Sequence, residues 1–221
     1  MVTFTLIMKK IISYIYPVTK KIPSKYSGDL EITWYNGKKH LNTKNANYSY
    51  GALQRILKYS LEKINLKNTR SILVLGLGGG SVIETLRNDF NYNNHITAVD
   101  IDPEIIKIAK DEFELIASKN LNIICDDALH FVAQNKEKYD LIIIDLFIDI
   151  VVPAPFLELD FWANVLHLRS SSATIIFNAS LESSISHKLK NIISYLKSHV
   201  YEVVVHDKVN NTNTIIIAKS L

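Results

Sequence analysis

Cysteine, glycine and long apolar runs are all scarce in this sequence. Its 221 residues include one cysteine and seven glycines. The single cysteine, Cys125, excludes a disulfide within the chain, so we expect a cytoplasmic protein in which Cys125 is buried as a small apolar side chain. Lys9 and Lys10 interrupt the N-terminal apolar stretch, whereas a membrane span needs about 20 apolar residues. We therefore expect neither a membrane span nor a cleaved secretory signal.

A strong excess of charge of either sign is also missing. The formal net charge is +3, and lysine and arginine are scattered along the chain, so we do not expect a nucleic acid partner. The histidines do not have the spacing of metal ligands, and we expect no metal site. The hydrophobic content of 48% is sufficient for the core of one globular domain.

The N-terminal part of the chain has the pattern of a β-hairpin. Apolar residues alternate at Leu30, Ile32 and Trp34, and the turn sequence Asn36-Gly37 follows. Such a dipeptide between two short alternating segments predicts a small hairpin. The exposed hairpin is compatible with a homodimer, which we keep as an expectation.

Downstream of the hairpin, wholly apolar strands alternate with amphipathic helices. This alternation is typical of a parallel sheet with helices on both faces. The prediction is an α/β fold with a Rossmann-like, seven-stranded, mostly parallel sheet whose last strand is antiparallel. We assign it to residues 51–221 and assign residues 1–50 to the N-terminal segment and hairpin. The last predicted helix, SSISHKLKNIISYLKSH, begins at Ser183.

Four of the seven glycines stand together in the sequence GLGGG, directly after the first apolar strand. Repeated glycine lets a backbone pass close to a ligand, because no Cβ stands in the way. In a sheet of this class, ligands lie beyond the carboxyl ends of the strands. The residues that follow the strands are Gly76, Gly78, Gly79, Gly80, Asp100, Ile101, Asp102, Asp126, Asp127, Asp145, Asp149 and Asn178.

The glycine loop and Asp100 together predict a nucleoside site. Asp100 stands 24 residues after Gly76, which is typical of an acid that binds ribose hydroxyls at the end of the second strand. The loop lacks the spacing of a dinucleotide fingerprint, and no Lys-Ser or Lys-Thr pair follows it. S-adenosylmethionine or a relative remains as the common occupant. Asp102 and Asp126 have an equally good explanation as helix N-caps.

Several motifs resemble the spermidine synthase (aminopropyltransferase) family, and especially its bacterial spermidine-synthase-like branch, which has the class I S-adenosylmethionine-dependent methyltransferase fold. The similar segments are ILVLGLGGGSVIETL, AVDIDPEIIKIAKDEF, DDALHFV, YDLIIIDLF and NANYSYGALQRIL. The resemblance implies a nucleoside-binding set of Gly76, Gly78, Gly79, Asp100, Ile101, Asp126 and Asp127.

The same resemblance implies that Asp100 binds ribose, that Asp127 lies near adenine, and that Asp145 accepts a proton from the attacking amine. It further implies a substrate pocket that contains Tyr50 and Asp149. The co-substrate would be S-adenosylmethionine or its decarboxylated form, and the partner a small-molecule amine or another nucleophile.

Some positions differ from the pattern of the true synthases. Gly79 stands where they carry a loop aspartate, Gly51 and Ala52 replace a glutamine and a glutamate, and Asp149 is displaced by one residue from the family's second acid. Three functions therefore stay open. They are transfer of an aminopropyl or related group to an amine, methyl transfer from S-adenosylmethionine to a small molecule, and nucleotide binding without catalysis.

Overall fold

The chain, seen in a computed structural model that describes residues 2–180 and 186–221, forms two β-sheets. The N-terminal sheet is antiparallel with the order β1-β2-β3-β4. Its elements are α1 (Val2–Ile12), β1 (Val18–Ser24), β2 (Gly28–Tyr35), β3 (Lys38–Asn42) and β4 (Asn47–Ser49).

The predicted hairpin is the centre of this sheet, and the sheet is larger than the sequence indicated. Asn36 and Gly37 connect β2 to β3, and both have positive φ angles, 47° and 73°, as the tight hairpin turn requires. The two additional strands, β1 and β4, have only weak strand patterns in the sequence. β1 is an edge strand that contains Pro23 and exposed lysines, and β4 has only three residues. Edge strands are commonly polar and tolerate proline.

The large sheet confirms the predicted architecture. It has seven strands in the order β10-β11-β9-β8-β5-β6-β7, and β11 is antiparallel to both of its neighbours, β9 and β10. Its elements are α2 (Gly51–Leu61), β5 (Ser71–Leu75), α3 (Ser81–Asn88), β6 (His95–Asp100), α4 (Pro103–Phe113), β7 (Leu121–Cys125), α5 (Ala128–Gln134), β8 (Tyr139–Ile144), α6 (Leu159–His167), β9 (Arg169–Ser180), α7 (His187–Ser198), β10 (Tyr201–Val209) and β11 (Asn213–Ser220). A short 3-10 helix, Ala154–Leu157, precedes α6.

Apolar side chains cover both faces of the large sheet. Helices α5, α6 and α7 pack on one face, around the fully buried Trp162 and Phe177. Helices α2, α3 and α4 pack on the other. Helix α7 begins at His187 with Ser186 as its N-cap, and predicted residues 183–185 of that helix lie outside the described part of the chain.

The prediction for Cys125 was wrong, because its side chain is exposed. Cys125 is the last residue of β7, which forms the edge of the large sheet. Only one side of an edge strand has a neighbouring strand, so apolar residues around a position do not guarantee burial there. Partial burial and the nearby carboxylates of Asp100 and Asp102 raise the pKa of the thiol.

The strand order explains where a ligand would bind. The chain runs from the central strand β5 out through β6 and β7, then returns to the other side of β5 with β8 and β9. The carboxyl ends of β5, β6 and β8 therefore surround the point at which the strand order reverses, and ligands of open α/β sheets bind there.

Candidate functional site

A cavity of about 460 Å³ lies at the carboxyl edge of the large sheet, partly covered by the N-terminal sheet. Many of its walls are apolar, with Val99, Ile101, Leu129 and Phe156 among them. Its charged lining residues are all aspartates, and within the described residues no lysine, arginine or histidine lines it. The five aspartates are Asp100, Asp126, Asp127, Asp145 and Asp149. A cavity of this kind favours cationic ligands.

The glycine loop lies between the end of β8 and the N-terminal sheet. A Cβ at Gly76 would collide with the backbone of Asp145, and one at Gly78 would come within 2.7 Å of the Tyr48 carbonyl oxygen. Gly76 and Gly78 also have φ angles of 94° and 54°, where side chains are disfavoured. The structure thus shows a reason for glycine that differs from the expected one, because a Cβ would meet the protein's own backbone.

Gly79 is also needed for packing, and it does not line the cavity. A Cβ there would come within 2.9 Å of Ser49 Cβ. The loop is thus close-packed against β4, and larger residues in it would disturb the fold as well as any ligand.

Asp100 stabilises the glycine loop by hydrogen bonds to its backbone. Its Oδ2 accepts hydrogen bonds from the backbone N–H groups of Leu77, at 3.1 Å, and Gly78, at 3.2 Å. Its Oδ1 accepts one from Asp102 N at 3.0 Å. Burial raises the pKa of the Asp100 carboxyl to about 6, although these three donors favour its ionised form. Because a carboxylate has about four acceptor positions, about one remains for a ligand hydroxyl.

Asp145 faces the cavity from the end of β8. Its Oδ1 accepts a hydrogen bond of 2.8 Å from Asn178 Nδ2. Burial raises the pKa of the Asp145 carboxyl to about 6, the bond from Asn178 acts against this shift, and the negative charge of Asp100 adds to it. A carboxylate with a pKa near 6 can accept a proton at neutral pH.

The residues after β6 and β7 form another wall of the cavity. Ile101 is 40% exposed and offers an apolar surface to the cavity. Asp127 caps α5 by accepting a hydrogen bond from Leu129 N at 2.7 Å. Asp126 pairs with His130 Nδ1 at 2.9 Å rather than capping the helix.

Asp149, at the rim of the cavity, and Asp102, which does not line it, both accept hydrogen bonds from the N-terminal part of the chain. Asp149 accepts hydrogen bonds of 2.7 Å from Thr43 Oγ1 and from Asn45 Nδ2, and the bond from Asn45 contributes most to lowering its pKa. Asp102 caps α4, as the alternative for this residue predicted. It also accepts hydrogen bonds from Ser24, the last residue of β1, and from Ser27, which lies between β1 and β2.

The structure brings most of the predicted site residues together around one cavity. They are Gly76, Gly78, Asp100, Ile101, Asp126, Asp127, Asp145 and Asp149. Tyr50 does not line it, because this residue follows β4 with a φ of 68° and stacks on Phe113 instead. Tyr48 lines the cavity in its place, and its hydroxyl accepts a hydrogen bond from Asp149 N at 2.8 Å.

Within the described residues, no group of three histidine, cysteine, aspartate or glutamate side chains is arranged to hold a metal ion. The helices of this part of the chain are also too short or too polar to cross a bilayer.

The strand order, the antiparallel last strand and the glycine loop beside an acid-lined cavity together define a class I methyltransferase-type fold. The chain belongs to the spermine/spermidine synthase family, whose domain matches residues 52–214. The polyamine aminopropyltransferase of Vibrio vulnificus is 32% identical over 110 residues, which are 48% of this chain and 36% of that protein. The chain thus matches about a third of the length of this relative.

Two solved structures confirm the fold. A probable spermidine synthase from Corynebacterium glutamicum superposes with a TM-score of 0.66 at 17% identity, over 92% of this chain and 77% of that one. Human methyltransferase-like protein 13, solved in complex with SAH, has a TM-score of 0.59 at 23% identity, over 77% of this chain and 80% of that one.

Proposed function

We propose that this protein binds decarboxylated S-adenosylmethionine and transfers its aminopropyl group to a small amine. One observation carries the proposal: the described cavity is lined by five carboxylates and by no cationic side chain. The sulfonium, the aminopropyl ammonium and a protonated amine acceptor are all cations that such a cavity stabilises. The polyamine aminopropyltransferases that the chain is similar to point to the same reaction.

The charge of the cavity also favours one form of the co-substrate. S-adenosylmethionine carries a methionine carboxylate, which would lie among five aspartates with no lysine or arginine of the described lining to pair with it. Placing like charges together in a partly buried site is unfavourable. The decarboxylated form lacks that group and ends in an ammonium instead.

The nucleoside fits the wall formed by β6 and β7. Asp100 retains about one acceptor position for a ribose hydroxyl, and Ile101 supplies an apolar surface for a flat base. Asp127 lines the cavity beyond them, where it lies near the adenine in this proposal.

In the transfer step, the amine nitrogen attacks the carbon of the aminopropyl group that is bonded to sulfur. The new C–N bond forms as the C–S bond breaks, and its electron pair remains on sulfur, which becomes the neutral thioether of 5′-methylthioadenosine. The amine loses one proton, and Asp145 accepts it. General-base assistance of this kind contributes about 10²–10⁴-fold.

Methyl transfer from S-adenosylmethionine is the second candidate. It is favoured by Gly79, because the true synthases carry an aspartate there that pairs with the aminopropyl ammonium. The cavity carboxylates would still act on an amine acceptor, but the methionine carboxylate would lack a cationic partner among the lining residues.

A product assay separates the candidates. The protein is incubated with a panel of diamines and either form of the co-substrate, and the released nucleoside is identified by mass spectrometry. We expect 5′-methylthioadenosine from the decarboxylated form only. S-adenosylhomocysteine from S-adenosylmethionine would establish methyl transfer instead. Binding of either nucleoside by calorimetry without any product would leave nucleotide binding as the function.

A further inference from the structure

Two buried amides form a chain of hydrogen bonds behind Asp145. Asn178 Nδ2 donates to Asp145 Oδ1 at 2.8 Å, and Asn213 Nδ2 donates to Asn178 Oδ1 at 2.8 Å. The exposed fraction is 0% for Asn178 and 4% for Asn213. Buried amides of this kind are seldom without partners, because an unpaired buried polar group is costly.

The chemistry of the groups fixes the direction of this chain. An ionised carboxylate only accepts hydrogen bonds, so Asn178 must turn its NH₂ group towards Asp145. Its carbonyl oxygen then faces Asn213, which must donate. Since the two ends of an amide have nearly the same shape, Asp145 and Asn213 together determine which end of Asn178 faces the cavity.

The strand register places Asn213 where it can do this. Asn178 pairs with Ile215 in the antiparallel contact between β9 and β11, and the register shifts between Thr214 and Ile215. Asn213 stands two residues before Ile215, so the two amides project from the same face of the sheet. Register shifts of this kind commonly redirect a side chain next to a functional site.

We propose that Asn213 is a positioning residue, which acts through Asn178 to keep an amide donor directed at the Asp145 carboxylate. Without Asn213, the carbonyl oxygen of Asn178 is free to turn towards Asp145. A carbonyl oxygen repels an ionised carboxylate and accepts a hydrogen bond from a protonated one, so the proton affinity of Asp145 would rise. The consequence for catalysis rests on the proposed function, whereas the consequence for ionisation does not.

The other described groups around Asp145 do not replace the amide of Asn178 as a donor to its carboxylate. The charged groups that line the cavity with it are Asp100 at the end of β6, Asp126 and Asp127 after β7, and Asp149 in the loop after β8. The N-terminal sheet contributes Tyr48, whose pKa is raised by burial. Of these groups, Asp100 acts on the pKa of Asp145 most directly, and it raises it. The donor from Asn178 is the group that opposes this effect.

The test is the ionisation of Asp145 in Asn213→Leu, which keeps the shape of the side chain and removes its donor. The carboxyl carbon is titrated by ¹³C NMR in the whole protein and assigned with Asp145→Asn. We expect the pKa of Asp145 to rise by about one unit, the size of one hydrogen bond to a charged group. If the Leu variant does not fold, Asn213→Ala is titrated instead, since it removes the donor without adding bulk.

The neighbouring position supplies a matched control. Thr214 is also buried, but its hydroxyl donates to Asp207 at 2.8 Å and it does not line the cavity. Thr214→Val should leave the pKa of Asp145 unchanged, while Asn213→Gln, which retains a donor, should restore part of the wild-type value. An unchanged pKa in both donor-free variants overturns the proposal.

The pH profile of transfer then tests the link to catalysis. In Asn213→Leu, kcat/KM should fall about tenfold at pH 5 and stay within twofold of wild type at pH 9, because only the ionised fraction of Asp145 changes. A shifted NMR titration without any transfer activity in the wild type would support the positioning role and reject the proposed function. An equal loss of activity at every pH would overturn the positioning role in catalysis.

Discussion

Asp100 and Asp145 in the cavity and Asp149 at its rim lie at the same edge of the sheet, yet their pKa values shift in opposite directions. Asp100 is the last residue of β6 and Asp145 follows β8, and burial raises the pKa of both carboxyls to about 6. Asp149 follows Asp145 by four residues, and hydrogen bonds from Asn45 and Thr43 lower its pKa. Ionisation of Asp100 and Asp145 destabilises the folded protein, whereas ionisation of Asp149 stabilises it.

In the proposed function, this difference separates the acids that take part in the reaction from those that hold the N-terminal sheet in place. Burial makes the ionised form of a carboxylate unfavourable, so a buried carboxylate accepts a proton readily. A carboxylate whose charge is satisfied by two side-chain donors is better suited to holding two parts of the fold together. Asp102 belongs to the second kind, since it accepts hydrogen bonds from Ser24 and Ser27 in the N-terminal sheet.

The largest expected effect is that of Asp145→Asn on turnover. The amide cannot accept the proton that the amine must lose, so kcat with an amine acceptor should fall at least about 100-fold. Nucleoside affinity should change little, because Asp145 is assigned to the amine. The measurements are product formation under saturating conditions and calorimetric binding of 5′-methylthioadenosine. Wild-type turnover in this variant would remove Asp145 from the mechanism.

The next largest effect is that of Asp100→Ala on nucleoside binding. The variant removes a charge-assisted bond to ribose and also leaves the N–H groups of Leu77 and Gly78 without their acceptor, so affinity should fall at least about tenfold. Calorimetry with 5′-methylthioadenosine measures the loss. Asp100→Asn, which retains one acceptor oxygen, should lose less. A change below twofold in the alanine variant would restrict Asp100 to a structural role.

The large sheet was predictable from the sequence because its signals are local. Strands such as β5 and β8 are buried on both faces and therefore read as continuous apolar runs, and the acids that follow them converge because parallel strands end at one edge. The N-terminal sheet was predicted only in part. β1 has the exposed lysines and the proline of an edge strand, and neither gives a periodic signal.

The acids of the site could be predicted, but their division into tasks could not. Whether Asp149 binds a substrate or fastens the rim depends on Thr43 and Asn45, which are more than 100 residues away in the sequence. Asn178 was among the strand-end residues, yet its role follows from contact with Asn213 on another strand. Tyr48 rather than the predicted Tyr50 lines the cavity, and Tyr50 itself has a positive φ angle. These features arise from tertiary packing, which local sequence patterns do not encode.

A smaller effect, on the KM for the amine, is expected for Asp149→Ala, which removes the hydrogen bonds at the rim of the cavity. Loss of the bonds to Thr43 and Asn45 loosens the loop that lines the cavity after Asp145. The KM for the amine should rise about three- to tenfold, the range of one net hydrogen bond, while kcat stays within twofold. Thr43→Val, which removes only one of the bonds, should lie between this variant and wild type. A fall in kcat as large as that of Asp145→Asn would assign Asp149 to the chemistry.

The smallest expected effect concerns stability, and its sign differs between the two kinds of acid. The folded-state pKa of Asp145, about 6, lies above the ordinary value of about 3.9. The folded protein therefore binds this proton more tightly than the unfolded chain between these pH values, and stability falls as the pH rises through them. Asp145→Asn removes this penalty, so its melting temperature at pH 7 should exceed that of wild type by several degrees. The difference should shrink towards zero near pH 4.

For Asp149, whose pKa is lowered, ionisation stabilises the fold above the ordinary pKa, and this contribution is lost as the pH falls. Asp149→Asn should therefore melt below wild type at pH 7 and approach it in acid. Scanning calorimetry of both variants at a series of pH values measures the two trends, and shifts of the same sign at pH 7 would contradict the division between cavity and rim acids.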